Sequence, residues 1–325
     1  MTAPSGPCTP AVRGIFIANL VAQVGILVTG AVVRLTGSGL GCPTWPECVD
    51  GSYVPTARQP EAWHKYIEFG NRLLTFVLVA LAVAAVVAAL YDRRARRQAG
   101  LPARRAIVVL ALIPILGTVA QAILGGVTVL TGLHPVTVSA HFLLSMAIVA
   151  GNVALVVRSG DAGDRPVTPL VPRAVQSLAW ALVIVSGLVV VLGVLVTGSG
   201  PHSGDANSEN RFFFDPRTIS WLHADVVLLF FGLTIGLLVA LSVVQAPQRA
   251  RRRTWLLLII AISQGALGYV QYFTGLPGAL VAIHVLGSGL VWVAVLFIPP
   301  ALRSRGPIAT GESMTVDAAE ALPTA

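Results

Sequence analysis

The sequence predicts an all-α integral membrane protein of eight transmembrane helices, arranged as two pseudo-symmetric four-helix bundles. Three observations carry this prediction. The 325 residues are 55% hydrophobic and only 11% charged, with mean hydropathy +0.80, whereas a soluble domain carries about 25% charged residues. Eight apolar runs are each long enough for the roughly 20 residues that cross the hydrocarbon core. An internal repeat relates the first four runs to the last four.

In order, the runs lie near 14–35, 66–90, 106–130, 138–157, 174–197, 218–245, 255–273 and 280–301. Each reads as a helix, because an isolated strand would leave backbone groups unpaired in lipid. The first is too long for the core of a signal peptide and leads into a polar motif, so it reads as a span that stays. Basic residues orient the set. The linker YDRRARRQAGLPARR after the second run, the linker with QRARRR after the sixth, and Arg13, Arg158, Arg165, Arg173, Arg303 and Arg305 together hold 16 of the 22 basic residues. All lie on one side of an alternating topology, so the positive-inside rule puts both termini and these linkers in the cytoplasm. The net charge of +8 therefore orients a multi-pass protein of the cell (plasma) membrane and is no nucleic-acid footprint. The tail after Arg305 is small, polar and expected to be disordered. Cys8, on the same side, reads as an unpaired surface thiol.

The repeat is explicit. Residues 121–141 (QAILGGVTVLTGLHPVTVSAH) align with 264–284 (QGALGYVQYFTGLPGALVAIH) at a constant offset of 143, matching Gln121/Gln264, Gly125/Gly268, Thr131/Thr274, Gly132/Gly275 and His141/His284. VVRLTGSG, ending at Gly39, matches VLVTGSG, ending at Gly200. Each half holds an even number of spans, so both enter the membrane in the same direction, as a parallel repeat. The chain divides into an N-terminal half (1–158), a C-terminal half (174–301) and the tail (302–325). Two outer connections are long, 36–64 and 198–217, and long loops in a compact bundle usually carry function.

All six histidines, His64, His134, His141, His202, His223 and His284, fall in or beside the outer halves of the even-numbered spans. His141, His223 and His284 lie within apolar runs, where an ionisable group is costly and functional by default. Imidazole is also the commonest axial ligand to haem iron in helical bundles. The competing reading is a neutral histidine bonded to a neighbouring helix. The repeat-related pair His141/His284 weighs against it, since packing alone rarely demands the same polar residue twice. Glu68 stands about one turn into span 2 with Arg72 four residues on, on the same face. Spacing leaves open a structural ion pair or a proton-transferring carboxylate. Cys42 and Cys48 flank Pro-Thr-Trp-Pro-Glu in the first outer loop. On the oxidising side of a membrane this most simply reads as a small disulfide loop, with thiol exchange as the weaker alternative. The TGSG strings lack a Walker lysine and are helix exits, not phosphate loops. Trp63, Trp221 and Trp255 fit interfacial anchoring.

Together VVRLTGSGLGCPTWPEC, the EFGNR string of span 2, the repeated histidines of spans 4 and 8 and the doubled architecture resemble haem A synthase, in its bacterial type with paired cysteines in the first outer loop. The resemblance covers roughly residues 14–301 and implies an oxidoreductase. That family oxidises the C8 methyl of haem O to a formyl group, by successive hydroxylations, giving haem A for cytochrome oxidase. The C-terminal half would hold haem b (iron) between His223 and His284. The N-terminal half would hold the substrate haem on His141, with Glu68 as the catalytic carboxylate, and Lys65, Arg72, Arg211 and Arg217 could pair with propionates. The implied partners are haem O, a membrane-bound haem O synthase and an unidentified electron acceptor, with room for a homo-oligomer. One departure matters: the family pattern Glu-x-x-His-Arg reads here Glu68-Phe-Gly-Asn71-Arg72. Repeat alignment likewise sets Asn71 opposite His223. Asn71 and His64 are therefore weak candidates for the second substrate-side position, His64 lying about 10.5 Å along the axis from Asn71. Two other classes compete: an electron-transfer cytochrome b, which needs no carboxylate beside its second haem, and a secondary transporter, which would set its polar groups nearer the midplane.

Overall fold

The computed structural model of the chain describes residues 7–161, 163, 166–204 and 210–306. The tail from residue 307 onward and Arg165 lie outside the described residues. The long helices are α1 (Pro10–Leu35), α2 (His64–Gln98), α3 (Arg105–Leu130), α4 (Pro135–Ser159), α5 (Arg173–Ser199), α6 (Pro216–Val243), α7 (Gln248–Phe273) and α8 (Gly278–Leu296). A single turn, α9 (Ile298–Ala301), continues α8, and two short strands, β1 (Thr168–Pro169) and β2 (Arg303–Ser304), pair antiparallel. Eight helical segments are long and apolar enough to cross a membrane, so this is a multi-pass membrane protein.

Local chemistry sets the helix ends. Proline opens α1, α4 and α6, where its missing N–H costs nothing. Thr9 Oγ1 accepts from the Val12 N–H at 3.4 Å, and Asp215 Oδ2 from the Thr218 N–H at 2.8 Å, capping α1 and α6. The sequence repeat is also a backbone repeat. Gly132 and Leu133 leave α3 with φ of +61° and +56°, and Gly275 and Leu276 leave α7 with +78° and +59°. In each exit the leucine N–H returns to a helix carbonyl, Leu133 to Thr128 at 2.9 Å and Leu276 to Gln271 at 2.7 Å.

Three expectations need correction. Two helices run past the apolar runs near 66–90 and 255–273 into the arginine-rich linkers: α2 runs 35 residues, to Gln98, and α7 begins at Gln248 and includes the QRARRR string. Arg, Ala and Gln are strong helix formers, so α2 continues until Gly100, at φ +69°. Its length of about 52 Å carries its last turns beyond the roughly 30 Å hydrocarbon core. The C-terminal tail, expected to be disordered from 302, starts as ordered chain. Leu302 is buried, Arg303–Ser304 pairs with Thr168–Pro169, and the Arg249 guanidinium donates to the carbonyls of Ala301 and Arg303. Cys8 is buried rather than a surface thiol, its N–H donating to the Ser159 carbonyl at 3.0 Å and its sulfur beside Arg104.

Contacts close one ring through α1, α2, α3 and α4, and another through α5, α6, α7 and α8. Each ring has its own core. Phe16, Ile107, Val149 and Leu155 centre the first, and Leu182, Leu237, Leu241 and Leu257 the second. The halves meet where α1 and α4 face α8, and where α4 faces α5. Gly289 of α8 gives the room this needs: a Cβ there would stand 3.4 Å from Leu27 and 3.5 Å from Val24. The Trp292 indole N–H donates across the seam to the Met146 carbonyl at 2.9 Å.

Candidate functional site

The first outer loop is folded onto span 2 by a small set of strong contacts. Cys42 and Cys48 form a disulfide, with S–S 2.05 Å. Between them, Trp45 lies on α3 at Gly126, where a Cβ would meet the indole at 2.5 Å. Glu68, 5% exposed, accepts from the Cys42 N–H at 2.6 Å through Oε2, and from Arg72 Nη2 at 2.6 Å and Nε at 3.1 Å through Oε1. Arg72 uses its remaining donors on the same loop, reaching the carbonyls of Cys42 (2.8 Å), Thr44 (3.1 Å) and Glu47 (3.1 Å). A carboxylate this deep is tolerable only because it is paired and hydrogen-bonded. The Glu68–Arg72 ion pair is therefore formed, and it clamps the disulfide loop.

The six histidines separate into two groups. Three have structural partners: His64 Nδ1 meets Ser38 Oγ at 3.0 Å and its ring stacks on Trp63, His134 Nδ1 caps α4 by accepting from the Val136 N–H at 3.3 Å, and His202 Nε2 meets the Leu276 carbonyl at 3.0 Å. The other three are His141 on α4, His223 on α6 and His284 on α8. Each has an occluded Nδ1 with no formed hydrogen bond, and each ring lies against a glycine of a neighbouring helix. A Cβ would come within 3.2 Å of His141 Cε1 at Gly125, 3.3 Å of His223 Cε1 at Gly193 and 3.5 Å of His284 Cε1 at Gly268. The Val189 carbonyl is the acceptor beside the His223 ring, short of normal bond geometry. Gln121 Nε2 braces the first site, donating to the His141 carbonyl at 2.9 Å and to Ser145 Oγ at 2.6 Å.

This donor set fits haem. The glycines clear space for imidazole rings, and in the C-terminal half the two unbonded rings lie on α6 and α8, opposite members of one four-helix ring, as a group held from two helices requires. The N-terminal half is visibly different. Asn71 stands where His223 does, its Oδ1 buried without a partner. In the register of the two TGSG strings, Val32 stands where Gly193 does, so the histidine and its glycine seat are both replaced.

Two of the expected propionate partners are already committed. Arg72 is bound to Glu68 and the loop, and Lys65 Nζ donates to the carbonyls of Thr56 (2.7 Å) and Gln59 (3.4 Å). Arg217 lies over the Trp221 ring at 5.0 Å, and Arg211 is exposed. The residue that sequence reading passed over is Arg34, in the last turn of α1, whose Nε is occluded and unpartnered. A lone arginine inside an apolar run was the available signal.

A heme A synthase of Lysinibacillus sphaericus is 31% identical over 187 residues, covering 55% of this chain and 56% of that protein. One of Shouchella clausii is 29% identical over 175 residues, covering 53% and 54%. One of Bacillus licheniformis is 25% identical over 286 residues, covering 84% and 90%. The first two alignments thus span about half the length of those relatives. The family model for cytochrome oxidase assembly proteins matches residues 13–296, nearly the whole membrane region. The chain belongs to the COX15-CtaA family of cytochrome oxidase assembly proteins.

Proposed function

We propose that this chain is a haem A synthase, an oxidoreductase that converts the C8 methyl of haem O to a formyl group by successive hydroxylations. The observation that carries the reading is the trio His141, His223 and His284, each seated against a glycine with its Nδ1 unbonded. In the division of labour we propose, residues 174–301 form the half that would hold haem b, on His223 and His284. Residues 1–158 form the half that receives haem O, with His141 as the iron ligand and Asn71 too weak a donor to complete a second bond. Bound haem b supplies a one-electron relay.

The protein's own residues do the rest. Among the described residues, Glu68 is the carboxylate that lies both deep in span 2 and at the first half's outer end. Arg72 and the Cys42 N–H hydrogen-bond its two oxygens and fix its direction. A held carboxylate can take the proton lost when the methyl carbon is oxidised. Each hydroxylation takes its oxygen from water and releases two electrons to the acceptor and two protons, and the loop clamped by Arg72 covers the carboxylate that takes the first of them. The arginine-rich linkers orient the chain with both termini cytoplasmic in the plasma membrane, which puts both histidine sites toward the extracytoplasmic face. Haem O synthase is the partner that such a substrate implies, and the electrons leave to an acceptor not yet identified.

The test is co-expression of the full chain with a source of haem O, followed by chromatography and mass analysis of extracted haems. Haem A or its hydroxylated precursor is expected with the intact chain and is expected to disappear in Glu68→Ala and His141→Ala. Unchanged haem O with the intact chain, in membranes competent for electron transfer, would contradict the assignment. An electron-transfer cytochrome b fits less well, because it gives no reason for a buried carboxylate clamped in the half that lacks the second histidine.

A further inference from the structure

We infer that Arg34 binds a porphyrin propionate at the seam between the two halves, an inference that rests on the haem reading above. Arg34 lies in the last turn of α1. Among the described residues its side chain makes no hydrogen bond or ion pair, and its Nε is occluded. Arginine stays protonated in proteins, and an unpaired guanidinium inside a membrane is costly. Such a site calls for an anion.

Its position follows from the contacts between α1 and α8. Val24 and Leu27 of α1 approach α8 at Gly289, and Leu35 approaches α8 at Gly278, with its Cβ 3.8 Å from where a Cβ of Gly278 would stand. The two helices therefore run antiparallel, with residue 27 level with 289 and residue 35 level with 278. Seven residues beyond Leu27, Arg34 returns to the same face of α1. It stands level with residues near 280, about one helical turn (~5 Å) outward of His284 along α8. Ala31 on this face is buried, so the guanidinium tops an otherwise apolar seam.

The anion must be a carboxylate that reaches this height from a group held by histidines lower in the bundle. A haem whose propionate edge points outward meets that description. None of the expected partners is both part-buried and uncommitted, as Arg34 is: Arg72 and Lys65 hold the first outer loop, Arg217 lies on Trp221, and Arg211 is exposed. The repeat gives Arg34 no counterpart, because the matching position of α5 is Leu195. One arginine thus serves one seam, and the carboxylate can come from the resident haem or from the substrate haem.

The experiment uses the full chain purified from haem-limited cells and titrated with protohaem and with its dimethyl ester, read by Soret absorbance. The intact chain is expected to prefer the free acid, and Arg34→Leu is expected to remove most of that preference. The expected loss is about tenfold to a hundredfold, the range for a charged hydrogen-bonded contact. Arg34→Lys is expected to keep part of it and guards against a folding defect. A His141→Ala background separates the sources: a preference that persists there belongs to the resident haem, and one that vanishes belongs to the substrate haem. Equal preference in the intact chain and Arg34→Leu would overturn the inference and leave the haem reading standing. An intact chain that binds neither porphyrin would overturn both.

Discussion

At the residue scale, the useful division is between side chains that already have partners and side chains that do not. His64, His134 and His202 are engaged by a hydroxyl, a backbone N–H and a carbonyl, two of them 26 and 74 residues distant in sequence. No local pattern could have separated His64 and His202 from His141, His223 and His284, because those two partners arrive only with the tertiary fold, whereas His134 caps its own helix two residues on. The glycine seats make the distinction testable. A Cβ at Gly193 would press on His223 at 3.3 Å, whereas one at Gly268 stands at ordinary contact, 3.5 Å. Gly193→Val is therefore expected to abolish the b-type haem signal of the purified chain, while Gly268→Ala retains it. Cys8 offers a second residue-scale test. Burial, with Asp92 adding to it, pushes its thiol up to about 11. The folded chain then keeps this proton where the unfolded chain loses it, so stability falls as pH rises from about 9 toward about 11. At pH 8, maleimide labelling of native protein is expected to be slow and to become fast on denaturation. Fast native labelling would mean that the thiol is exposed.

At the scale of elements, hydropathy found all eight spans, and the cap chemistry explains their starts. It did not find where α2 and α7 end outside the lipid, because helix propensity continues through arginine after apolar periodicity has stopped. The first outer loop was legible as a disulfide loop and no further. Its docking depends on Glu68 reaching the Cys42 N–H and on Arg72 reaching three loop carbonyls. Removing Arg72 leaves Glu68 buried and unpaired, so Arg72→Gln is expected to cost about 3 kcal/mol. Opening the seven-residue ring with Cys42→Ser is expected to cost about 2 kcal/mol. Thermal unfolding of the detergent-solubilised chain measures both, and a larger cost for the disulfide than for the arginine would contradict the clamp. At the other long connection, the Thr218 hydroxyl and N–H hold the Asp215 carboxyl below its usual range. Its capping contribution is thus present above the ordinary carboxylate pKa of about 4 and is lost only as pH falls below that.

At the scale of the whole molecule, the repeat was readable in the sequence, and the matched left-handed exits of α3 and α7 show it in the backbone. The asymmetry between halves was half-readable: Asn71 announced a missing histidine, but the loss of its glycine seat at Val32 needed the structure to show what Gly193 does. Arg34 was missed because its importance lies in the seam with α8, a contact that no sequence period predicts. In the proposed division of labour the two halves are unequal, one a fixed haem site and the other a place where a haem reacts. The most direct test is low-temperature EPR on the purified full chain, with extracted haems analysed in parallel. A low-spin bis-histidine signal is predicted in the intact chain, lost in His223→Ala and in His284→Ala. The same signal should persist in His141→Ala and Glu68→Gln while product formation stops. A signal that survives His284→Ala, or that disappears with His141→Ala, would contradict the division of labour.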